Sequence, residues 1–154
     1  EAITHYMRLK YNVLVGERTA EEIKMTLGNA HASTAEKVIV IRGRDLESGL
    51  PRSIKITAVE VREALMPVFR EITSAVGDLI EETPPELVSD VLERGIVMCG
   101  GGAMIAGMDK LMSEETRMPV YITEDPLTAV VRGCGKVLDD MKLLNKVRVV
   151  GGLK

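Results

Sequence analysis

The sequence predicts a protein of the α/β class, in which helices pack against sheets. In the second half of the chain, two short apolar runs at residues 96–99 and 120–122 alternate with stretches of helical periodicity. Such alternation is typical of a layered α/β domain. In the first half, β-branched runs at residues 38–41 and 53–57 indicate a β-hairpin. The predicted order is helix, helix, hairpin, long helix, helix, strand, glycine turn, helix, strand and helix.

The two opening helices are predicted from apolar spacing and from signals at the helix ends. Residues 3–11 carry Ile, Tyr and Met at helical spacing. After a short break, a second helix is predicted over residues 20–27, with Thr19 as its N-cap and Glu22 completing a capping box. Gly28 then ends this helix, as glycine commonly does.

The hairpin is predicted to carry a long connection between its strands. Residues 42–51 contain Gly, Asp, Ser and Pro, which favour turns. The second strand shows alternation at Ile54 and Ile56, which is typical of a strand with one buried face. Residues 30–36, which precede the hairpin, are predicted as loop.

A long helix is predicted directly after the hairpin. Thr57 and Glu60 form a second capping box, and an apolar face then continues for about six turns. Pro67 lies within this helix and is expected to kink it, because proline removes an amide donor and crowds the preceding turn. Residues 83–86 contain two prolines that end this helix and start the next, which stops at Gly95.

Two more helices and a tail are predicted in the last third of the chain. One helix is predicted from about Ala103 to residue 113. The final helix has Asp125 as a cap and Pro126 at its first position, and it continues to about residue 144. Residues 146–154 are predicted to be a frayed strand or a disordered tail.

Composition excludes several classes of protein. The 154 residues carry a net charge of −3, 3% aromatic side chains and no Trp, unlike a nucleic-acid-binding surface. Cys99 and Cys134 are predicted to be free thiols in a reducing compartment, with a single disulfide as the alternative. His5 and His31 have no ligand spacing, so no metal site is predicted. No apolar run approaches the roughly 20 residues of a transmembrane helix.

The informative motif is a glycine turn within residues 95–107. A strand runs into three consecutive glycines at residues 100–102 and then into the predicted helix. This arrangement exposes backbone amides beside a positive helix end, which suits an anion or the edge of a nucleotide. The spacing matches neither a Walker A loop nor a Rossmann fingerprint. Taken alone, the three glycines are equally consistent with tight packing. Residues 16–24, taken alone, favour an ordinary capped surface helix.

Several segments together carry a resemblance to a known family. They are residues 11–12, 16–24, 42–46, 49–51, 82–87, 94–97, 100–103 and 124–127. In order and spacing these segments closely resemble the MreB family of bacterial actin-like proteins, from the first residue to about residue 138. The chain opens inside a helix and without an initiator Met, so we expect the natural protein to continue upstream.

The resemblance implies the actin-like ATPase fold, also called ribonuclease H-like, in which ATP lies between two large domains. This chain resembles the second large domain. Residues 1–66 then correspond to an outer α+β subdomain that contains the hairpin. Residues 67–138 correspond to an inner α/β subdomain with the glycine turn, and residues 139–154 form a C-terminal tail.

The resemblance also implies a nucleotide site, because the family's adenosine contacts fall on two segments of this chain. The implied contact residues are Glu21, Glu22, Ile23, Lys24, Gly100, Gly101, Gly102 and Ala103. The implied cofactor is ATP, with Mg²⁺ in the full-length family. The family's phosphate-binding hairpins and catalytic acids precede the first residue here, so no catalytic or metal-binding residue is predicted. We therefore expect little ATP hydrolysis by this chain alone.

The implied function is part of an ATP-dependent cytoskeletal filament that determines bacterial cell shape by organising cell-wall synthesis. The implied partners are further copies of the protein and the cell-wall machinery at the inner membrane, with no nucleic acid and no membrane-binding segment in this chain. The implied location is the cytoplasm, at the inner face of the membrane.

Two alternatives to this function stay open. One is another actin-fold ATPase, such as a chaperone or a sugar kinase, and the other is a non-hydrolysing interaction or capping module. Cys134 departs from the family, which usually has Thr in a Gly-Thr-Gly turn there. We expect the thiol to preserve packing and to lose one hydrogen bond.

Overall fold

The computed structural model describes residues 1–31 and 37–147 of the chain. Seven α-helices and five strands are assigned in these ranges. In chain order they are α1 (Ala2–Tyr11), β1 (Val13–Leu14), α2 (Glu17–Leu27), β2 (Val38–Asp45), β3 (Pro51–Thr57), α3 (Ala58–Glu82), α4 (Pro85–Arg94), β4 (Ile96–Met98), α5 (Met108–Thr116), β5 (Val120–Ile122), α6 (Ala129–Asp139) and α7 (Met141–Val147). Most of the predicted 30–36 loop and 146–154 tail lies outside the described residues.

The first sheet has three antiparallel strands in the order β1-β2-β3. The predicted hairpin is confirmed, but its long connection is wrong, because the strands extend through most of that segment and pair as far as Arg44 and Pro51. Strand β1 was not predicted, since two residues are too short to show a period. At Gly43, an added Cβ would lie 2.3 Å from the Val13 Cγ1 atom, so the approach of β1 requires glycine there.

The main hydrophobic core lies between this sheet and the first three helices. Alternate residues of β2 and β3 point inward, including Ile41, Ile54 and Ile56. Helix α3 contributes Phe69, which is 2% exposed, and α1 contributes Met7, which is fully buried. Side chains of α5 join the same core cluster, so the second half of the chain packs against the first.

Helix α3 runs without interruption over 25 residues. The predicted capping box is confirmed: the Thr57 side chain accepts the Glu60 amide, and the Glu60 carboxylate accepts the Thr57 amide. The helix continues through Pro67. It is followed by α4, with proline in its first turn as predicted, and Gly95 ends α4 with a positive φ of 78°.

The second sheet consists of β4 and β5, which pair in parallel from Ile96 opposite Val120 to Met98 opposite Ile122. The bounds predicted for β5 are confirmed. Strand β4 ends one residue earlier than predicted. Although β4 is an apolar run, Val97 is 64% exposed and its two neighbours in the strand are only partly buried.

Three helix starts differ from the sequence predictions. Helix α2 begins at Glu17 with Gly16 as its N-cap, so the expected capping box at Thr19 does not form. The helix expected from Ala103 is a short 3₁₀ helix at Gly101–Met104, and α5 starts only at Met108. The final helix starts at Ala129 rather than at Pro126.

The end of the described chain also differs from the prediction. The final predicted helix is divided into α6 and α7, and α7 begins at Met141, within the 139–154 segment expected to form the C-terminal tail. Cys134 lies inside α6 instead of in a turn. Cys99 and Cys134 are free thiols on the surface.

Candidate functional site

A pocket of about 350 Å³ lies between helix α2 and the glycine turn. We call it the α2–turn pocket. Its walls come from α2 and the residue after it, from the residue before β2, from the turn between β4 and α5, and from the segment between β5 and α6. The lining residues are Glu21, Lys24, Met25, Thr26, Gly28, Lys37, Gly101, Met104, Ile105, Ala106 and Leu127.

The α2 wall carries an ion pair. The Lys24 Nζ lies 2.7 Å from a Glu21 carboxylate oxygen, a contact that the i, i+3 spacing on a helix allows. Both side chains are partly open to solvent, at 33% and 54% exposure. The two neighbouring residues of the predicted set face elsewhere: Ile23 is fully buried in the core, and Glu22 points to Arg18 at 3.4 Å.

The opposite wall is the glycine turn that follows β4. Gly100 has φ of 86°, which favours glycine, and its amide donates to the Pro126 carbonyl at 2.7 Å. This amide is therefore not open to a ligand, contrary to the expectation of free amides along the turn. A Cβ at Gly101 would meet only Leu127, at 3.7 Å, and one at Gly102 would meet nothing within 4 Å. Ala103 is 2% exposed.

The structure thus brings only part of the predicted set together. Glu21, Lys24 and Gly101 line one pocket. Ile23 and Ala103 are buried behind the two walls, where they hold the walls in place.

The two walls are held together by direct contacts at the base of the pocket. The Ala30 amide donates to the Ala106 carbonyl at 2.8 Å, and Asn29 forms a parallel bridge with Ala106. Beside them, Gly107 has φ of 74°, and an added Cβ there would lie 2.6 Å from the His31 Cβ. The His31 Nε2 also lies 3.1 Å from Glu114 on α5. These contacts fix α2 against the segment that carries the glycine turn.

Apolar side chains supply much of the pocket lining. Met25, Met104 and Leu127 are 70%, 58% and 65% exposed, so their surfaces are available to a ligand. Exposed apolar groups around an open backbone turn suit a flat aromatic ring. Met25, Thr26 and Lys37 lie outside the two motifs, and neither Met104 nor Leu127 was predicted as a contact residue. These residues come close to the motifs only in the folded chain, so the sequence alone does not reveal their position in the pocket.

The strongest electrostatic perturbations lie away from the pocket. Burial disfavours the Glu60 carboxylate, but hydrogen bonds from Tyr11, Thr57 and Lys10 outweigh it and lower the Glu60 pKa to about 2. At the hairpin turn, the Ser48 amide and the Arg52 guanidinium lower the pKa of Asp45 to about 2. Both groups stabilise the fold around the core and hairpin.

Neither a metal cluster nor a transmembrane helix is found in the part of the chain that the structure describes. Within residues 1–31 and 37–147, no group of three His, Cys, Asp or Glu side chains is placed to hold a metal ion. No helix in these ranges is long and apolar enough to cross a membrane.

Solved structures with similar folds are found among bacterial filament proteins. A crystal structure of MreB5 of Spiroplasma citri bound to AMPPNP superimposes with a TM-score of 0.88 at 37% identity, covering 94% of this chain and 44% of that one. The MamK double helical filament superimposes with a TM-score of 0.73 at 20% identity, over 90% of this chain and 42% of that one, which shows the shared fold. The fold is therefore that of the actin-like proteins, as the sequence predicted.

Curated relatives agree with this fold. The cell shape-determining protein MreB of Escherichia coli strain K12 is 47% identical over 139 residues, which are 90% of this chain and 40% of that protein. The cell shape-determining protein Mbl of Bacillus subtilis strain 168 is 42% identical over 144 residues, 94% of this chain and 43% of that protein. The chain thus spans less than half the length of these relatives. The MreB/Mbl protein family matches residues 1–146, and the chain belongs to that family.

Proposed function

We propose that this chain supplies the adenosine side of an ATP site in an actin-like, filament-forming protein that determines bacterial cell shape. The observation that carries the proposal is the α2–turn pocket, in which Glu21 and Lys24 face Gly101 across one cavity. Two segments that are far apart in the sequence meet there. The predicted contact residues Gly100 and Gly102 flank Gly101 and belong to the same proposal, whereas Glu22 lies outside the pocket lining and pairs with Arg18.

The pocket fits an adenosine group in size and chemistry. Its volume of about 350 Å³ falls within the roughly 300–1,000 Å³ range of small-molecule pockets. The bare backbone at Gly101 leaves room for a flat ring, with Met104 and Leu127 as apolar neighbours. The Glu21 carboxylate can accept hydrogen bonds from ribose hydroxyls, and the Lys24 ammonium can donate to ribose or base acceptors.

Similar proteins support the nucleotide assignment. MreB5 of Spiroplasma citri, which is 37% identical, has been crystallised with AMPPNP and with ADP. In our proposal residues 1–66 and 67–138 form the outer and inner subdomains, and the adenosine group lies where they meet. Mg²⁺ would accompany the phosphates in the full-length protein and would neutralise their charge.

Self-association into filaments belongs to the same proposal, together with the cell-wall synthesis machinery at the inner face of the membrane. The relatives' names, cell shape-determining proteins, support it. Membership of the MreB/Mbl family disfavours the chaperone and sugar kinase alternatives. The capping-module alternative draws support from exposed apolar side chains in the second half, such as Tyr121, Val130 and Val131, which are 55%, 65% and 66% exposed.

Nucleotide binding by the purified chain tests the proposal directly. A fluorescent ATP analogue and a fluorescent adenosine analogue are titrated with and without Mg²⁺. We expect both to bind weakly, with similar affinity and without Mg²⁺ dependence, because the pocket contacts the nucleoside. Binding should be lost in Gly101→Val, because the added side chain enters the pocket at a position where its Cβ meets only Leu127, at 3.7 Å.

The control for this substitution is Gly133→Val. Gly133 is exposed in α6 and has nothing within 4 Å of an added Cβ, so the same change there leaves the pocket untouched. Unchanged binding in Gly101→Val would contradict the proposed site. If only the ATP analogue binds, and binds tightly and with Mg²⁺ dependence, then this chain contacts the phosphates instead of the nucleoside.

A further inference from the structure

Lys37 lines the α2–turn pocket, although it belongs to neither of the two motifs from which the site was predicted. It lines the cavity together with Lys24 and Gly101. Its backbone is fixed, because the Lys37 carbonyl accepts the Ala58 amide at 2.9 Å at the start of α3. The next residue begins β2 and pairs with Thr57. The sheet therefore holds this side chain at the rim of the pocket.

The charge balance of the pocket singles out Lys37. Its charged lining residues are Glu21, Lys24 and Lys37. Glu21 and Lys24 neutralise each other through their 2.7 Å ion pair. Among the residues that the structure describes, Lys37 forms no ion pair. Among the described residues, the pocket lining therefore carries one positive charge without an ion-pair partner.

We propose that Lys37 is a further nucleotide-contacting residue, whose ammonium group donates hydrogen bonds to acceptor atoms of the bound purine nucleotide. This inference rests on the proposed function. Those acceptors are ring nitrogens and ribose oxygens on the nucleoside, or oxygens of the phosphates. Ammonium groups suit both kinds of acceptor, since lysine has three donors and no acceptor of its own.

The substitution that tests this role is Lys37→Met, which removes the charge and keeps most of the side-chain length. The matched control is Lys55→Met on β3, since Lys55 is also exposed but does not line the pocket. Lys37→Arg keeps the charge and should retain binding. Because Lys37 is solvent-exposed, Lys37→Met should leave the unfolding temperature unchanged.

The dissociation constants of fluorescent ADP and adenosine analogues are measured for the wild-type chain and the three variants, at low and high salt. We expect Lys37→Met to weaken ADP binding about fivefold at low salt, the size expected for one exposed charged contact. The loss should shrink at high salt, because salt screens exposed charges. Lys55→Met should bind like the wild type.

The adenosine measurements locate the contact. A loss equal to that for ADP assigns the Lys37 contact to the nucleoside, and a loss for ADP alone assigns it to the phosphates. Wild-type affinity for both ligands in Lys37→Met would overturn the inference while leaving the proposed function intact. If the wild-type chain itself binds neither analogue, the proposed function fails, and the role of Lys37 fails with it.

Discussion

The Glu60 side chain connects the start of helix α3 to the end of helix α1. Its substitution tests how much this connection contributes to the stability of the fold. Its carboxylate accepts the Thr57 amide and hydroxyl at 2.9 Å each, accepts the Tyr11 hydroxyl, and lies 3.0 Å from the Lys10 ammonium. The side chain is only 15% exposed. Glu60→Gln removes the negative charge from this cluster with little change in shape.

The expected loss can be worked out from two directions. Part of the capping box contributes about 1 kcal/mol, and a charge-assisted hydrogen bond such as that from Tyr11 contributes about 1.5 kcal/mol more. Independently, lowering the Glu60 pKa from 4.5 to about 2 corresponds to roughly 3 kcal/mol. Lys10 is 45% exposed, and screening of its charge by solvent reduces this free energy to about 2 kcal/mol. We therefore expect Glu60→Gln to destabilise the chain by about 2 kcal/mol at pH 7.

The dependence on pH has a definite sign. The folded-state pKa of Glu60 is depressed, so the carboxylate stabilises the fold above its unfolded pKa. This contribution is lost as the pH falls from about 4.5 towards 2, the two values that bound the shift. Urea unfolding followed by circular dichroism at several pH values measures it. The difference between wild type and Glu60→Gln should shrink steadily over this pH range.

The control variant is Glu63→Gln, one turn further along the same helix. Its carboxylate is 56% exposed and lies 3.9 Å from the Lys10 ammonium, so its removal should change the free energy of unfolding by less than about 0.5 kcal/mol. Two results would contradict this role of Glu60. One is a Glu60→Gln variant as stable as the wild type at pH 7, and the other is a difference that persists undiminished at pH 2.

Three further predictions concern the core and the hairpin. Phe69→Ala should lower the free energy of unfolding by about 3–5 kcal/mol in urea denaturation, because the ring is 2% exposed; a loss below 1 kcal/mol would contradict its place in the core. Gly43→Ala should reduce the thermal midpoint, because the added Cβ would lie 2.3 Å from Val13. The control is Gly77→Ala in α3, where the added Cβ meets open space; its thermal midpoint should equal or exceed that of the wild type. Asp45→Asn should lower the thermal midpoint at pH 7, and this loss should shrink as the pH falls from 3.8 towards 2, since Ser48 and Arg52 hold the Asp45 pKa at about 2.

The parts of the fold that the sequence predicted well are those set by local chemistry. The capping box at Thr57 and the helix end at Gly95 depend on neighbouring residues, and both formed as expected. The start of α2 was misplaced for a physical reason. Thr19 has a suitable side chain, but the helix extends back to Glu17, which brings Ala20 and Ile23 onto the core. Burial outweighed the local preference for a cap.

The candidate site also shows that local sequence patterns do not determine which residues come together in the fold. Contiguous motifs on a helix contain core residues at regular intervals, so Ile23 falls inside the 21–24 motif but faces the interior. Conversely, Lys37 belongs to no motif and Leu127 was not among the predicted contact residues, yet both line the pocket. Their position depends on how β2 and the segment before α6 pack, and such long-range contacts leave no periodic signal in the sequence.

Main-chain contacts hold the two walls of the α2–turn pocket together. The Ala30–Ala106 hydrogen bond and the Asn29 bridge join the two walls through main-chain atoms. The close approach of Gly107 to His31 leaves no space for a side chain between them. Because these contacts involve the backbone, substitutions of Lys37 or Lys24 should alter affinity without moving the walls. A pocket with fixed walls loses little conformational freedom on binding, so even a few contacts with a nucleoside can give measurable affinity.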